Sequence, residues 1–164
     1  MAARATAAPA PPRPRTRRQY GVVPYRRVKD RIEILLITSR NTGRWIIPKG
    51  WPIGRKPPRD VARLEALEEA GLEGAIAKRP CGAFHYQKRL NDGAVVLCRV
   101  SVFALEVGRQ RRIWPESRER KRRWFAAERA IALVREAELK ALIGVLLRSL
   151  EKRSPATTGK PRPL

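Results

Sequence analysis

The stretch PKGWPIGRKPPRDVARLEALEEAG, residues 48–71, constrains the fold more than any other part of the chain. It opens on a loop rich in glycine and proline and passes into a segment with apolar residues at Val61, Leu64 and Leu67 and alanines between them. That spacing is a helical period, so a helix is expected over residues 58–70. Pro57 and Pro58 suit its first turn, where a missing N–H costs nothing, and Gly71 suits its end, where a left-handed residue is needed. The same segment concentrates negative charge. The chain holds 37 lysines and arginines against 15 aspartates and glutamates, yet Glu65, Glu68 and Glu69 crowd together within little more than one turn. On a helix Glu65 stands over Glu68 and Glu69, and like charges at that spacing cost roughly 0.2–0.5 kcal/mol per pair. A solvated acidic face is one account of them. A cluster of hard oxygen ligands for Mg²⁺ or Mn²⁺ is the other, because a divalent cation relieves the repulsion. The scarcity of acids elsewhere favours the second.

The segment resembles the Nudix box. That pattern runs glycine, five residues, glutamate, seven residues, arginine-glutamate, a hydrophobic residue, any residue, two glutamates, any residue, glycine and a hydrophobic residue. Counted from Gly50, the chain keeps Gly50, Glu65, Ala66, Glu68, Glu69, Gly71 and Leu72 in register. It departs at Lys56, in the first glutamate position, and at Leu64, in the arginine position; the second bears on the orientation of Glu65 and so on rate. Residues 39–51 (SRNTGRWIIPKGW), 82–88 (GAFHYQK) and 120–134 (RKRRWFAAERAIALV) are similar to stretches of one branch of that family. The branch comprises the diphosphoinositol polyphosphate phosphohydrolases and their diadenosine-polyphosphate-cleaving relatives, and the matches together span about residues 18–150.

The resemblance implies an α/β fold of the Nudix type, an α/β/α sandwich around a mixed β-sheet. It implies a pyrophosphohydrolase that cleaves phosphoanhydride bonds with a metal-activated water. Position by position, it implies Glu65 and Glu69 as ligands of Mg²⁺ or Mn²⁺, a backbone carbonyl near Gly50 completing the shell, and Glu68 as proton acceptor or further ligand. Glu116 or Glu119 would be an additional acid. Arg18, Arg26, Arg27, Arg40, Lys88, Arg89 and Arg120 fall where the branch contacts substrate phosphates, work that suits arginine because its planar fork binds phosphate bidentately.

The remainder of the chain agrees with one domain. With 164 residues and 43% hydrophobic content it can bury a proper core, and no apolar run approaches the ~18 residues of a transmembrane helix. Residues 1–17 hold arginines, alanines and prolines but no hydrophobic stretch, so they read as a disordered basic arm rather than a secretory signal. The domain is placed at 18–153 and a flexible tail at 154–164. Cys81 and Cys98 form no close-spaced metal motif and are expected reduced, in or beside strands of a cytoplasmic protein. YGVVPYRRV and RIEILLITSR read as strands about a turn at Lys29 and Asp30. GAFHYQKRL and AVVLCRVSVFALEV read as a hairpin around Asn91, Asp92 and Gly93. RRWFA reads as a strand, and residues 127–150 as helical with room for a break near Ala137. His85, the only histidine, reads as a strand side chain. Trp45, Trp51 and Trp124 read as packing residues, Trp51 being close enough to the box to flank the site.

Three functional readings compete. The first is a metal-dependent hydrolase of phosphorylated small molecules. The second is an RNA 5′-pyrophosphohydrolase, for which a net charge of +22 would steer the transcript end. The third is a module of the same fold that binds nucleotides or nucleic acid without turning them over. Lys56 and Leu64 favour the third, the retained glutamates the first two. Hydrolysis is preferred, because nothing else would keep three repelling carboxylates on one helix.

Overall fold

The computed structural model describes residues 15–153. The tail at 154–164, and all of the expected arm before Arg15, lie outside the described residues. Strand β1 (Arg17–Val28) turns at Lys29, which takes a positive φ of 55°, into β2 (Arg31–Thr38). The two pair antiparallel only from Tyr25↔Ile34 to Val28↔Arg31 and then part. Short β3 (Trp45–Ile46) pairs with β2 at Ile37 and Thr38, while β4 (Lys49–Gly50) pairs with β1 at Tyr20 and Gly21. Residues 45–50 therefore fill the split between the two strands, and this puts Gly50 in the middle of the sheet.

After helix α1 (Pro58–Ala70) come β5 (Leu72–Ile76), β6 (Gly82–Arg89) and the long β7 (Val95–Gln110). One edge of β7 runs parallel to β1, from Arg17↔Cys98 to Tyr25↔Glu106; the other carries β6 and β5 end to end, both antiparallel. Strand β8 (Arg122–Ala126) lies antiparallel on β2. The sheet is thus mixed. Side chains alternate across it. Val22, Leu35, Ile37, Phe103 and Leu105 face α1. Ile34, Leu36, Phe84, Val100 and Val102 face α2 (Ala127–Leu133) and α3 (Ala137–Lys152), which contributes Leu139, Ile143 and Leu146. This is the expected three-layer α/β/α arrangement. The expected helical segment divides at Val134, whose extended ψ of 149° ends α2.

Two local expectations needed revision. On α1 the buried residues are Val61, Ala62, Ala66, Glu69 and Ala70, whereas Leu64 and Leu67 are only half-buried. Alanines turned inward let the helix approach the sheet closely; leucines would hold it away. Strand β5 was not expected, because Leu-Glu-Gly-Ala-Ile carries no clean alternation, and its pairing shifts register between Glu73 and Gly74. Among the described residues no helix is long and apolar enough to cross a membrane.

Candidate active site

The C-terminal end of α1 is tied to two distant parts of the chain. Its last carbonyls have no partner within the helix. Gly71, left-handed at φ 66°, donates its N–H to the carbonyls of Ala66 and Leu67. The backbone N–H of Glu116 bonds the Glu68 carbonyl at 3.1 Å, the Trp114 indole N–H bonds the Glu69 carbonyl at 3.1 Å, and Arg122 bonds the Ala70 carbonyl at 2.6 Å. These bonds hold the 111–121 segment against the helix and bring Glu116 to the acidic cluster.

The carboxylates meet the segment in the β1–β2 split. A Cβ on Gly50 would collide with the Glu65 carboxylate, so glycine is required there by close approach rather than by backbone conformation. Glu69 is 8% exposed. One of its oxygens accepts the Lys49 backbone N–H at 3.0 Å and the other accepts from Arg120 at 2.6 Å. Arg120 also donates to Glu116 at 2.7 Å and to the Thr38 carbonyl at 3.1 Å. Burial pushes Glu65 up to about 7, and the charges of Glu69, Glu68 and Glu116 add to the effect. Glu69 is also raised by burial, against the opposing pull of Arg120 and Lys49.

The donor set is one that suits a hard divalent cation. The Arg120 guanidinium already bridges Glu69 and Glu116, showing that the cluster takes up positive charge, and Glu65 has no ion-pair or hydrogen-bond partner among the described residues. No three acidic, histidine or cysteine side chains among the described residues converge into a ready-made cation cage. Arg120 shares both of its carboxylates, Glu69 with the Lys49 backbone N–H and Glu116 with Arg40.

Cations flank the carboxylates on the α2/α3 side. Burial lowers the Lys49 ammonium to about 8; Lys88 and Arg44 push it further down, and Glu69 and Glu136 oppose them. Its Nζ stands 5.0 Å from the Tyr86 ring centroid, and the Tyr86 hydroxyl donates to Gln19. Lys88 and Arg17 lie 5.5 and 6.0 Å from the Trp51 ring. Lys49 and Arg17 were not among the expected contacts. Lys49 immediately precedes Gly50, and that adjacency was the signal that could have found it.

The remaining expected residues divide sharply. Arg40 pairs with Glu119 at 3.2 Å and approaches Glu116 at 3.7 Å, so Arg40, Glu116 and Glu119 meet at the rim of the cluster. Glu68 is half-buried beside Glu65. Arg120, expected among the phosphate contacts, is instead 8% exposed and engaged within the protein. Arg26 and Arg27 also depart from expectation. They lie six and seven residues beyond Tyr20, about 20 Å along the strand, where Arg26 pairs with Glu33 at 2.6 Å over Trp124 and Arg27 bonds the Leu150 carbonyl at 3.0 Å. Arg89 is exposed at the end of β6, near the Gly93 carbonyl, and Arg18 points to the opposite face of the sheet from Arg17. Lys56 and Leu64, the two departures from the box pattern, line one cavity of about 490 Å³ on the outer side of α1. Glu65 is not among the residues that line it.

No family model matches the chain. It is 30% identical over 145 residues to Nudix hydrolase 13, mitochondrial, of Arabidopsis thaliana, covering 78% of this chain and 72% of that protein. It is 34% identical over 105 residues to diphosphoinositol polyphosphate phosphohydrolase 2 of Rattus norvegicus, covering 62% of this chain and 54% of that one. Among solved structures, a C. elegans Ap4A hydrolase binary complex superposes with a TM-score of 0.64 at 21% identity, over 84% of this chain and 99% of the other. By the extent of its likeness to the Arabidopsis protein, and with the box residues gathered around Gly50, the chain belongs to the Nudix hydrolase family.

Proposed function

We propose that the protein is a Mg²⁺- or Mn²⁺-dependent pyrophosphohydrolase that cleaves a phosphoanhydride bond in a phosphorylated small molecule. The substrate class is a nucleoside-diphosphate-linked compound, a diadenosine polyphosphate or a diphosphoinositol polyphosphate. The observation that carries this reading is the Glu65 carboxylate, unpaired and half-buried, in the space that a side chain at position 50 would occupy. Glu65, Glu69 and the carbonyl near Gly50 would hold the divalent ion, which would supply a lowered pKa for the attacking water and neutralisation of charge on the phosphate oxygens. Glu68 accepts the proton, and Glu116 is the additional acid at the rim. Lys49, Lys88, Arg17 and Arg40 hold the phosphates, with Trp51 as an apolar wall. Arg120 positions Glu69 and Glu116 from beneath. The free thiols of Cys81 and Cys98 suit a reducing compartment, and the cytoplasm is the compartment proposed.

A panel of such compounds, incubated with Mg²⁺ or Mn²⁺ and scored for phosphate-containing products, tests the reading. Turnover of at least one small polyphosphate is expected, and Glu68→Gln should lower kcat by about 10²-fold or more with the melting temperature retained. Unchanged turnover in that variant would remove Glu68 from the chemistry. The Arg120 bridge across Glu69 and Glu116 favours a second reading, a module that binds without hydrolysis. That reading gains if phosphorylated ligands bind and none is cleaved with either metal. Cleavage of RNA 5′ ends alone would move the substrate class to RNA.

A further inference from the structure

A cavity of about 710 Å³ opens on the α1 face of the sheet, away from Lys49, Lys88 and Trp51. Its walls follow from strand alternation and register. Arg18 and Tyr20 of β1 point the same way as core residue Val22, and their partners on parallel β7 are Arg99 and Ser101. Phe103, next on that face, is a buried floor. Arg59 enters from the first turn of α1, and Lys78 and Arg79 from the loop between β5 and β6. Five cationic side chains thus surround one cavity, and among the described residues no carboxylate lines it.

That concentration is not balanced by carboxylates among the described residues. Among the described residues, none of Arg18, Arg59, Lys78 or Arg79 makes an ion pair, and Arg99 bonds only the Ser101 hydroxyl, at 3.2 Å. The Nε of Arg59 is buried with no hydrogen-bond partner among the described residues. A buried donor without an acceptor and a concave surface of one sign both favour an incoming anion, and low-dielectric walls focus the field within the concavity. The size is that of a small-molecule site. Tyr20 and the prolines at 57, 58 and 80 supply apolar wall beside the charges. Guanidinium groups in such numbers match phosphate better than carboxylate, since each can take two phosphate oxygens.

We propose that this cavity is a second anion site, which binds a chain of phosphates, free or attached to a nucleoside, separately from the carboxylate cluster. Its existence does not depend on catalysis, because none of Glu65, Glu68 or Glu69 lines it.

The test is a titration of the ¹⁵N-labelled full chain with tripolyphosphate and with ATP, in EDTA at physiological ionic strength, followed amide by amide. Saturating shifts at Arg59, Arg79, Arg99 and Ser101 are expected. Arg59→Gln combined with Arg79→Gln should raise the dissociation constant read at Arg99 and Ser101 at least tenfold. Arg129→Gln combined with Arg148→Gln, two exposed arginines on the other face, should leave it within about threefold. Tighter binding of ATP than of tripolyphosphate would assign the nucleoside to the Tyr20 wall, and equal binding would assign the phosphates alone; either supports the site. Shifts confined to the surroundings of Trp51 and Lys88 would overturn it. Equal weakening by both pairs of substitutions would do the same, by reducing the effect to diffuse attraction. A single-stranded oligonucleotide lacking a 5′-phosphate that saturated these amides at lower concentration than either probe would replace the small anion with nucleic acid.

Discussion

Glu65 is surrounded by burial and negative charge, and its carboxyl group consequently holds a proton up to about pH 7. In the unfolded chain a glutamate titrates near 4.3. The folded state therefore binds the proton more tightly, a contribution fully present below the unfolded value and lost as pH rises through about 7. Without metal, stability should fall between about pH 5 and pH 8 by more in the native sequence than in Glu65→Gln, by on the order of 1–2 kcal/mol after allowance for solvent screening. Thermal unfolding of the two proteins across that range in EDTA measures it. Parallel curves would show that Glu65 is ionised in the folded state throughout. Millimolar Mg²⁺ should then flatten the fall in the native sequence, because a cation replaces the proton in relieving the same repulsion.

Helix α1 works as a rigid carrier for those carboxylates, and its alanines set how close it comes. Ala62, Ala66 and Ala70 are fully buried against Val22, Leu35, Ile37 and Phe103. A larger side chain has no room. Ala66→Leu should cost about 1–3 kcal/mol through overpacking, seen as a lowered melting temperature. It should also depress kcat, since Glu65 and Glu69 ride on the same turns; an unaltered melting temperature would mean the helix can lift without penalty. The ends of this helix were legible from Pro57, Pro58 and Gly71, which act through local backbone geometry. Its inward face was not. Leu64 and Leu67 have the spacing of a core stripe, but the buried face is chosen by the neighbour it must meet. Here the sheet selected the small residues, leaving both leucines half-covered.

Across the whole molecule the net charge of +22 is an excess with several destinations. Residues 1–14 carry Arg4 and Arg13, and truncation should stop there because Arg17 already pairs with Cys98 across the sheet. Salt screens diffuse attraction over a Debye length of ~8 Å. Removing residues 1–14 should therefore leave kcat/KM for a small polyphosphate within a few-fold at physiological salt, while flattening its salt dependence. A tenfold loss would give this segment a direct part in binding. The sequence by itself determined the acidic helix with its boundaries, the hairpin about Gly93 and the family resemblance, because each rests on residues close together in the chain. Only the tertiary structure decided which cations attend the carboxylates. Arg17 and Arg26 lie on the same strand, yet pairing with β7 brings Arg17 to Trp51, while the turn at Lys29 sets Arg26 against Glu33. Arg120 is buried because Glu69 and Thr38 reach it from two distant segments while Glu116 pairs with it four residues away, and no local pattern encodes the two distant contacts.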